Sequence, residues 1–183
     1  MSLQGRKILL GVTGSIAAYK AATLVRLLVK AGAEVQVILT ASAAAFVTPL
    51  TLGTLSKKPV LTSFLKDEAA GEWHNHVHLG LWADALVIAP ASANTVGHLA
   101  NGLCDNLLDA AYLSARCPVF LAPAMDLDMY AHPAVTRNFE QLRAYGNYVL
   151  ESPAGELASG LSGPGRMLEP EAIVAELMKF FGA

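Results

Sequence analysis

A buried strand, a helix and a second buried strand follow one another within the first 40 residues, and this order constrains the fold most strongly. Residues 7–13 form an apolar run that is typical of a parallel strand covered on both faces. Ser15 is suited to cap a helix over residues 16–31, and Gly32 follows where such a helix should end. The β-branched segment 34–40 predicts the second strand. A unit of this kind implies parallel strands joined by a right-handed crossover.

The rest of the chain continues the alternation of strands and helices. Further strands are predicted at 85–89, 119–122 and 148–150, and further helices at 76–83, 92–99, 105–115, 133–145 and 170–181, with two short ones over 41–56 that Pro49 separates. Residues 57–72 and 152–169 are predicted to be connections. Because no repeat or linker divides the chain, we predict a single α/β domain over residues 1–183, a doubly wound Rossmann-like fold with a mainly parallel sheet.

The composition excludes several classes of protein. Apolar residues make up 54% of the chain and charged residues 15%, which rules out intrinsic disorder. The net charge of −2 favours neither nucleic acid nor an anionic membrane as a partner, and no apolar run is long enough to span a bilayer. Two cysteines, Cys104 and Cys117, cannot form a disulfide framework. We therefore expect a cytoplasmic protein that buries apolar faces against other copies of itself.

Small polar residues follow four of the predicted strands, at the carboxyl ends where open parallel sheets bind ligands. The segments are GVTGSI (11–16), TAS (40–42), PASANT (90–95) and PAMD (123–126). Hydroxyl groups and the free N–H groups of helix N-termini suit a phosphate. The glycines do not match the dinucleotide fingerprint, and Thr40 stands where such a site has an acid. The pattern favours a ligand that carries a phosphate, although Gly14 and Ser15 are also consistent with a simple tight turn.

Three histidines lie within five residues, at His74, His76 and His78. Imidazole is a common metal ligand, but no other ligand type recurs at a suitable spacing, so we expect no metal site. One histidine can instead act as an acid or a base beside the ligand, because imidazole titrates near neutral pH. The remaining alternative is a surface helix with solvated imidazoles, which we expect for at least two of the three.

The segment 152–169 is rich in glycine and leads to the last predicted helix. Glycines allow a segment to close over a site and open again, and Arg166 offers a fixed positive charge for a phosphate or a carboxylate. The segment can also be a plain connection in which Arg166 is solvated. Because long loops inside a domain are usually functional, we predict a lid.

Six motifs in order resemble the homo-oligomeric flavin-containing cysteine decarboxylases. They are GSIAAYK (14–20), HVHLGLWAD (76–84), APASANT (89–95), GLCDNLL (102–108), PAMDLDMY (123–130) and GPGRMLEP (163–170). Each motif is weak alone, but the ordered set is specific. Within the family, the chain most resembles the members that convert 4'-phosphopantothenoylcysteine to 4'-phosphopantetheine in coenzyme A biosynthesis.

The resemblance implies an FMN that is held at the strand ends and shared between the subunits of a trimer, often assembled further into a dodecamer. The positions that match the family's flavin contacts are Gly14, Ser15, Ile16, Thr40, Ser42, Ser92, Ala93, Asn94, Thr95 and Ala124. The implied catalytic residues are His76, which matches the essential histidine, with Asp126 and Ser159. The implied substrate-binding residues are Met125, Asp126, Arg166 and Met167. In the implied reaction the cysteinyl thiol is oxidised by hydride transfer to the flavin, and carbon dioxide then leaves from a thioaldehyde-like intermediate.

Two positions depart from the family pattern. Asp126 stands where the family has an asparagine that binds the substrate carboxylate, and an ionised carboxylate there would repel that group. Ser159 replaces a cysteine credited with protonating the intermediate, and a hydroxyl is a far weaker acid than a thiol. We hypothesise that the changes compensate, with a protonated Asp126 binding the carboxylate or supplying the proton. The rival hypothesis is that the reductive half of the reaction is lost and an oxidised ene-thiol is released.

Other functions within the same fold remain alternatives. The substrate can be another cysteine-ended molecule, such as a peptide C-terminus, or a prenylated flavin precursor. A non-catalytic flavin-binding subunit that regulates a partner is a further alternative, although His76 argues against it. Bacterial members often carry a ligase domain after this one, so the chain is either monofunctional or part of a longer protein.

Overall fold

The computed structural model describes residues 2–67 and 69–182. Most of its strands are the short apolar runs that the sequence predicts. In chain order the strands are β1 (Lys7–Val12), β2 (Glu34–Leu39), β3 (Leu65–Asp67), β4 (Glu72–Trp73), β5 (Ala85–Ala91), β6 (Val119–Pro123), β7 (Tyr148–Val149), β8 (Gly155–Glu156) and β9 (Ser162–Gly163). Five of them form one parallel sheet in the order β2-β1-β5-β6-β7. The other four form two antiparallel hairpins, β3–β4 and β8–β9.

Helices connect the parallel strands and cover both faces of the sheet. They are α1 (Lys20–Lys30), α2 (Pro49–Ser56), α3 (His76–Trp82), α4 (Ala93–Asn101), α5 (Leu107–Ser114), α6 (Leu127–Ala131), α7 (Pro133–Ala144) and α8 (Pro170–Phe180), with 3-10 turns at Ile16–Tyr19 and Ala43–Ala45. The predicted caps are confirmed, because the Ser15 side chain accepts a hydrogen bond from the Ala17 N–H and Gly32 has a φ of +92°.

The apolar core is divided by the sheet into two layers. Alternate residues of β1 point to opposite faces, so that Leu10 packs with Leu24 of α1 and Leu177 of α8, while Leu9 packs with Leu99 of α4 and Leu142 of α7. All six side chains are fully or almost fully buried. This arrangement confirms the predicted doubly wound α/β fold with a parallel sheet.

The structure differs from the sequence-based expectation at three places. The strands β5 and β6 include Pro90 and Pro123, where we expected each strand to have ended. The ladder between them is irregular between Ile88 and Ala91, which accommodates a residue without an N–H donor. The segments predicted as irregular connections contain the hairpins β3–β4 and β8–β9, and the short helix α6 has no counterpart among the predicted helices.

Candidate active site

The ends of β1 and β2 meet at the carboxyl edge of the sheet. Gly14 lies so close to Ser42 that a Cβ atom on Gly14 would be 2.6 Å from the Ser42 Oγ. The Ser42 Oγ is also 3.3 Å from the Thr40 Oγ1. The close approach explains why the chain needs glycine here, and it brings two predicted hydroxyl groups beside the turn that follows β1.

A threonine that the sequence analysis did not single out joins β1 to β5. The buried Thr13 donates a hydrogen bond from its Oγ1 to the Pro90 carbonyl at 2.7 Å and accepts one from the Ser92 N–H at 2.9 Å. Ser92 in turn caps α4 by accepting from the Thr95 N–H. The first turn of α4, which contains Ala93 and Asn94, is therefore fixed against the end of β1. Thr13 lies within the segment GVTGSI, and its position there could have identified it from the sequence as a residue of the site.

The end of β6 is connected to the segment before α8. The Ala124 N–H donates to the Ala91 carbonyl at 3.1 Å, and the Met125 N–H donates to the Gly165 carbonyl at 3.0 Å. Gly165 has a φ of +132° and packs directly on the Met125 carbonyl, so a side chain at this position would overlap the backbone. These contacts place the residues after β6 beside the glycine-rich segment.

A cavity of about 480 Å³ opens between these segments. Seven residues predicted for the site line it: Ser15, Ile16, Ala124, Met125, Asp126, Arg166 and Met167. The lining also contains Ala17, Tyr19, Lys20, Glu156, Leu157, Ala158 and Gly165. Tyr19 and Lys20 belong to the motif at 14–20, but we assigned them only to a helix. The remaining predicted flavin contacts, Gly14, Thr40, Ser42, Ser92, Ala93, Asn94 and Thr95, lie along the neighbouring strand ends and do not line this cavity.

A cluster of charged side chains forms one wall of the cavity. Lys20 is only 8% exposed, and its Nζ lies 2.7 Å from the Glu169 Oε1. The Arg166 Nη2 donates to the same Glu169 oxygen at 3.3 Å. One half-exposed carboxylate thus holds a buried ammonium and a guanidinium. Asp126 also lines the cavity, and its Oδ1 accepts a hydrogen bond from the Leu127 N–H at the start of α6.

The segment 152–169, which we predicted to be a lid, contains the hairpin β8–β9. Its turn is closed by a hydrogen bond from the Leu157 N–H to the Leu161 carbonyl at 2.8 Å. Ala158 lines the cavity, while the next residue, Ser159, is exposed at the tip and does not line it. The hairpin rests on α6, because a Cβ on Gly163 would be 2.6 Å from the Leu127 Cδ1.

His76 begins α3 and lies away from the cavity lining. Its ring contacts Phe64 edge-on and Trp73 at a tilt, with centroid separations of 6.1 and 5.7 Å, and its Nδ1 is buried without a hydrogen-bond partner in the described part of the chain. The helix that carries it packs closely on α5, since a side chain at Gly80 would overlap the Ser114 carbonyl.

The other two histidines of the predicted cluster differ in exposure. His78 is exposed, and His74 is partly buried. Partial burial and the nearby Lys66 lower the pKa of His74, because both disfavour the charged imidazole. Within residues 2–67 and 69–182, no group of three His, Cys, Asp or Glu side chains is placed to hold a metal ion.

The fold and the strand-end cavity define a ligand-binding α/β domain, and comparison with known proteins identifies its family. Residues 1–182 match the Flavoprotein family model, and the chain belongs to this family. Among the described residues, no helix has the length and apolar character needed to cross a membrane.

Two curated relatives illustrate the range of the family. A cysteine/cysteine sulfinic acid decarboxylase from an unknown prokaryotic organism is 59% identical over 135 residues, covering 74% of this chain and 37% of the relative. The coenzyme A biosynthesis bifunctional protein CoaBC of Bacillus subtilis is 46% identical over 179 residues, covering 98% of this chain and 44% of the relative. The chain therefore spans less than half the length of these two curated relatives.

Solved structures support the same assignment. A PPC decarboxylase mutant complexed with pantothenoylaminoethenethiol superposes with a TM-score of 0.87 at 34% identity, covering 98% of this chain and all of that chain. The FMN-binding protein AtHal3 superposes with a TM-score of 0.83 at 34% identity, covering 98% of both chains. Family membership and these neighbours confirm the predicted FMN cofactor. The strand ends suit such a group, because hydroxyl groups and the N-terminus of α4 meet there without an acidic side chain at the end of β2.

Proposed function

We propose that the chain is an FMN-dependent decarboxylase that acts on a cysteine-derived carboxylate. The observation that carries the proposal is the cavity at the carboxyl edge of the sheet, which adjoins the hydroxyl-lined strand ends and is bordered by the β8–β9 hairpin. Membership of the Flavoprotein family and similarity to decarboxylases over nearly the whole chain support it.

The strand ends would hold the cofactor. Hydroxyl and backbone groups around Gly14, Ser42 and Ser92 would bind the phosphate and ribityl groups, while the residues after β6 would lie against the ring. When bound, FMN supplies a reversible two-electron acceptor for the substrate thiol, which allows the carboxyl carbon to leave as carbon dioxide. The hairpin, through Ala158, would exclude water from the cavity.

His76 would act on the substrate as the base, and we propose that self-association brings it to the site. Within one chain His76 does not line the cavity. A trimer, or a dodecamer built from trimers, would allow α3 of one subunit to face the cavity of the next. The unpartnered Nδ1 of His76 is consistent with an imidazole that lacks one of its contacts in the isolated chain.

Two substrates are candidates, and Asp126 has a different task with each. For 4'-phosphopantothenoylcysteine, supported by the similarity to CoaBC over 98% of the chain, Asp126 would have to be protonated to bind the carboxylate or to supply the proton that the family's cysteine provides. For free cysteine, supported by the relative with 59% identity, an ionised Asp126 faces a substrate that also carries an ammonium group. In either case Ser159 replaces the thiol at the lid.

The proposal is tested with the purified protein and both substrates. We expect a yellow protein with flavin absorbance, and a product whose mass is lower than the substrate by one carbon dioxide. A product that has also lost two hydrogens would show that the reaction stops at the oxidised ene-thiol. His76→Asn should lower turnover by at least about 100-fold, whereas His78→Asn on the same helix should not. A colourless protein that does not bind added FMN would disprove the proposal.

A further inference from the structure

Two opposite charges approach the cavity from adjacent backbone segments. The Met125 N–H donates to the Gly165 carbonyl, and the residues that follow this contact, Asp126 and Arg166, both line the cavity. Gly165 also packs directly on the Met125 carbonyl, with no room for a side chain, so the two segments lie in close contact. A carboxylate and a guanidinium are therefore presented to the same small volume.

The guanidinium is held in place by the protein itself. Arg166 packs across Gly155, where a Cβ would be 2.8 Å from its Nη1, and its Nη2 donates to Glu169. An arginine has five N–H donors, so this bond leaves donors free for an anion. Lys20 also pairs with Glu169, but it is more buried and makes the shorter contact, at 2.7 Å against 3.3 Å for Arg166. Arg166 is therefore the better placed of the two cations to bind a ligand.

The carboxylate of Asp126 has no cation as its partner. Its hydrogen bond is with the Leu127 N–H at 2.6 Å, and none of the ion pairs among the described residues includes it. The other acid on the lining, Glu156, is exposed on β8. A partly buried carboxylate with no counter-ion is unfavourable unless a ligand supplies the opposite charge.

We propose that Asp126 is a specificity-determining residue that binds the free α-ammonium group of the substrate while Arg166 binds an anionic group of the same molecule. The substrate class is then an unacylated, cysteine-type α-amino acid, whose ammonium and carboxylate match the two opposite charges on the cavity lining. N-acylated cysteines, including 4'-phosphopantothenoylcysteine and peptide C-termini, replace the ammonium by an uncharged amide and leave Asp126 without a partner. The inference rests on the proposed decarboxylase function. The overall change is balanced, since the cysteine carboxylate takes up one proton and yields cysteamine and carbon dioxide.

The first test measures binding without turnover. S-methylcysteine and N-acetyl-S-methylcysteine have a blocked thiol, so calorimetric titration of the FMN-loaded protein reports recognition alone. We expect the free amino acid to bind about 10- to 100-fold more tightly than its acetylated form, and Asp126→Asn to remove most of this difference. Asp128→Asn, which removes an exposed carboxylate from the same helix, should preserve it. Equal affinities in the wild-type protein, or an unchanged ratio in Asp126→Asn, would overturn the proposal.

The second test compares the kcat/KM of cysteine with that of N-acetylcysteine and 4'-phosphopantothenoylcysteine. We expect the wild-type protein to prefer cysteine and Asp126→Asn to shift the preference by at least tenfold toward the acylated substrates. A wild-type protein that decarboxylates the acylated substrates as efficiently as cysteine would refute the inference and leave the decarboxylase function intact. Release of carbon dioxide from none of the substrates would instead refute the proposed function, while the binding measurement would still decide the role of Asp126.

Discussion

Gly14 is a single residue on which the geometry of the proposed flavin site depends. We predict that Gly14→Ala destabilises the protein by about 1–3 kcal/mol and weakens FMN binding, because the added methyl group would overlap the Ser42 side chain. Gly97→Ala is the matched control, since its Cβ would meet the Asn138 Nδ2 at 3.7 Å inside α4, and it should stabilise by about 0.5–1 kcal/mol. Urea unfolding and FMN titration measure both effects. Unchanged stability and FMN affinity in Gly14→Ala would contradict the argument.

The two cysteines lie in different environments, so we expect them to differ in reactivity. Burial raises the pKa of the Cys117 thiol, since the thiolate is poorly solvated there, whereas Cys104 is exposed. A raised pKa leaves less thiolate at a given pH, so we predict that iodoacetamide near pH ~8 modifies Cys104 at least about tenfold faster than Cys117. Mass spectrometry of the alkylated peptides measures the two rates. In concentrated urea the rates should converge, and equal rates in the folded protein would show that Cys117 is not shielded.

Among the elements, those with several consecutive apolar residues could be predicted from the sequence, and the shortest ones could not. β1 buries five of its six residues and β2 buries four of six. Their apolar residues could be recognised in the sequence, which is also why the strand ends and the segments that follow them were located correctly. The two-residue strands β8 and β9 have no periodicity, and pairing across the hairpin is what defines them. Lys20 was missed because a lysine at the start of a helix is ordinarily solvated, and its burial depends on Glu169, which is 149 residues away in the chain.

The ion pair between Lys20, at the start of α1, and Glu169, just before α8, should lose different amounts of stability when one or the other side chain is replaced. Removing the carboxylate in Glu169→Gln leaves the buried Lys20 ammonium without an anion, and we predict a loss of about 2–3 kcal/mol. Removing the ammonium in Lys20→Met leaves a half-exposed carboxylate that still pairs with Arg166, so the loss should be about 1 kcal/mol or less. Chemical denaturation measures both free energies of unfolding. A larger loss in Lys20→Met would contradict this account.

At the scale of the whole molecule, the role that we propose for His76 depends on self-association. Val77 and Leu81 lie four residues apart on α3 and are 47% and 53% exposed, and Trp73 just before them is also exposed. We predict that the wild-type protein is a trimer or a larger assembly of trimers, and that Leu81→Glu dissociates it and lowers turnover by placing a charge on this face. Light scattering coupled to size-exclusion chromatography measures the mass.

Gln141→Glu, which adds the same charge to an exposed position of α7, is the control and should leave the assembly intact. A monomeric wild-type protein with full activity would exclude a site completed by a second subunit. Sequence patterns alone could not settle this point, because an exposed apolar stripe on a seven-residue helix becomes visible only once the opposite face is known to pack on α5.

The close contact between α3 and α5 at Gly80 has a consequence for the imidazole one turn away. A methyl group at position 80 would overlap the Ser114 carbonyl at the end of α5, so α3 and the His76 that it carries would have to shift. That shift would move the His76 ring away from the substrate on which we propose it acts. Gly80 has no side chain that could react, yet the proposed position of the His76 base depends on it.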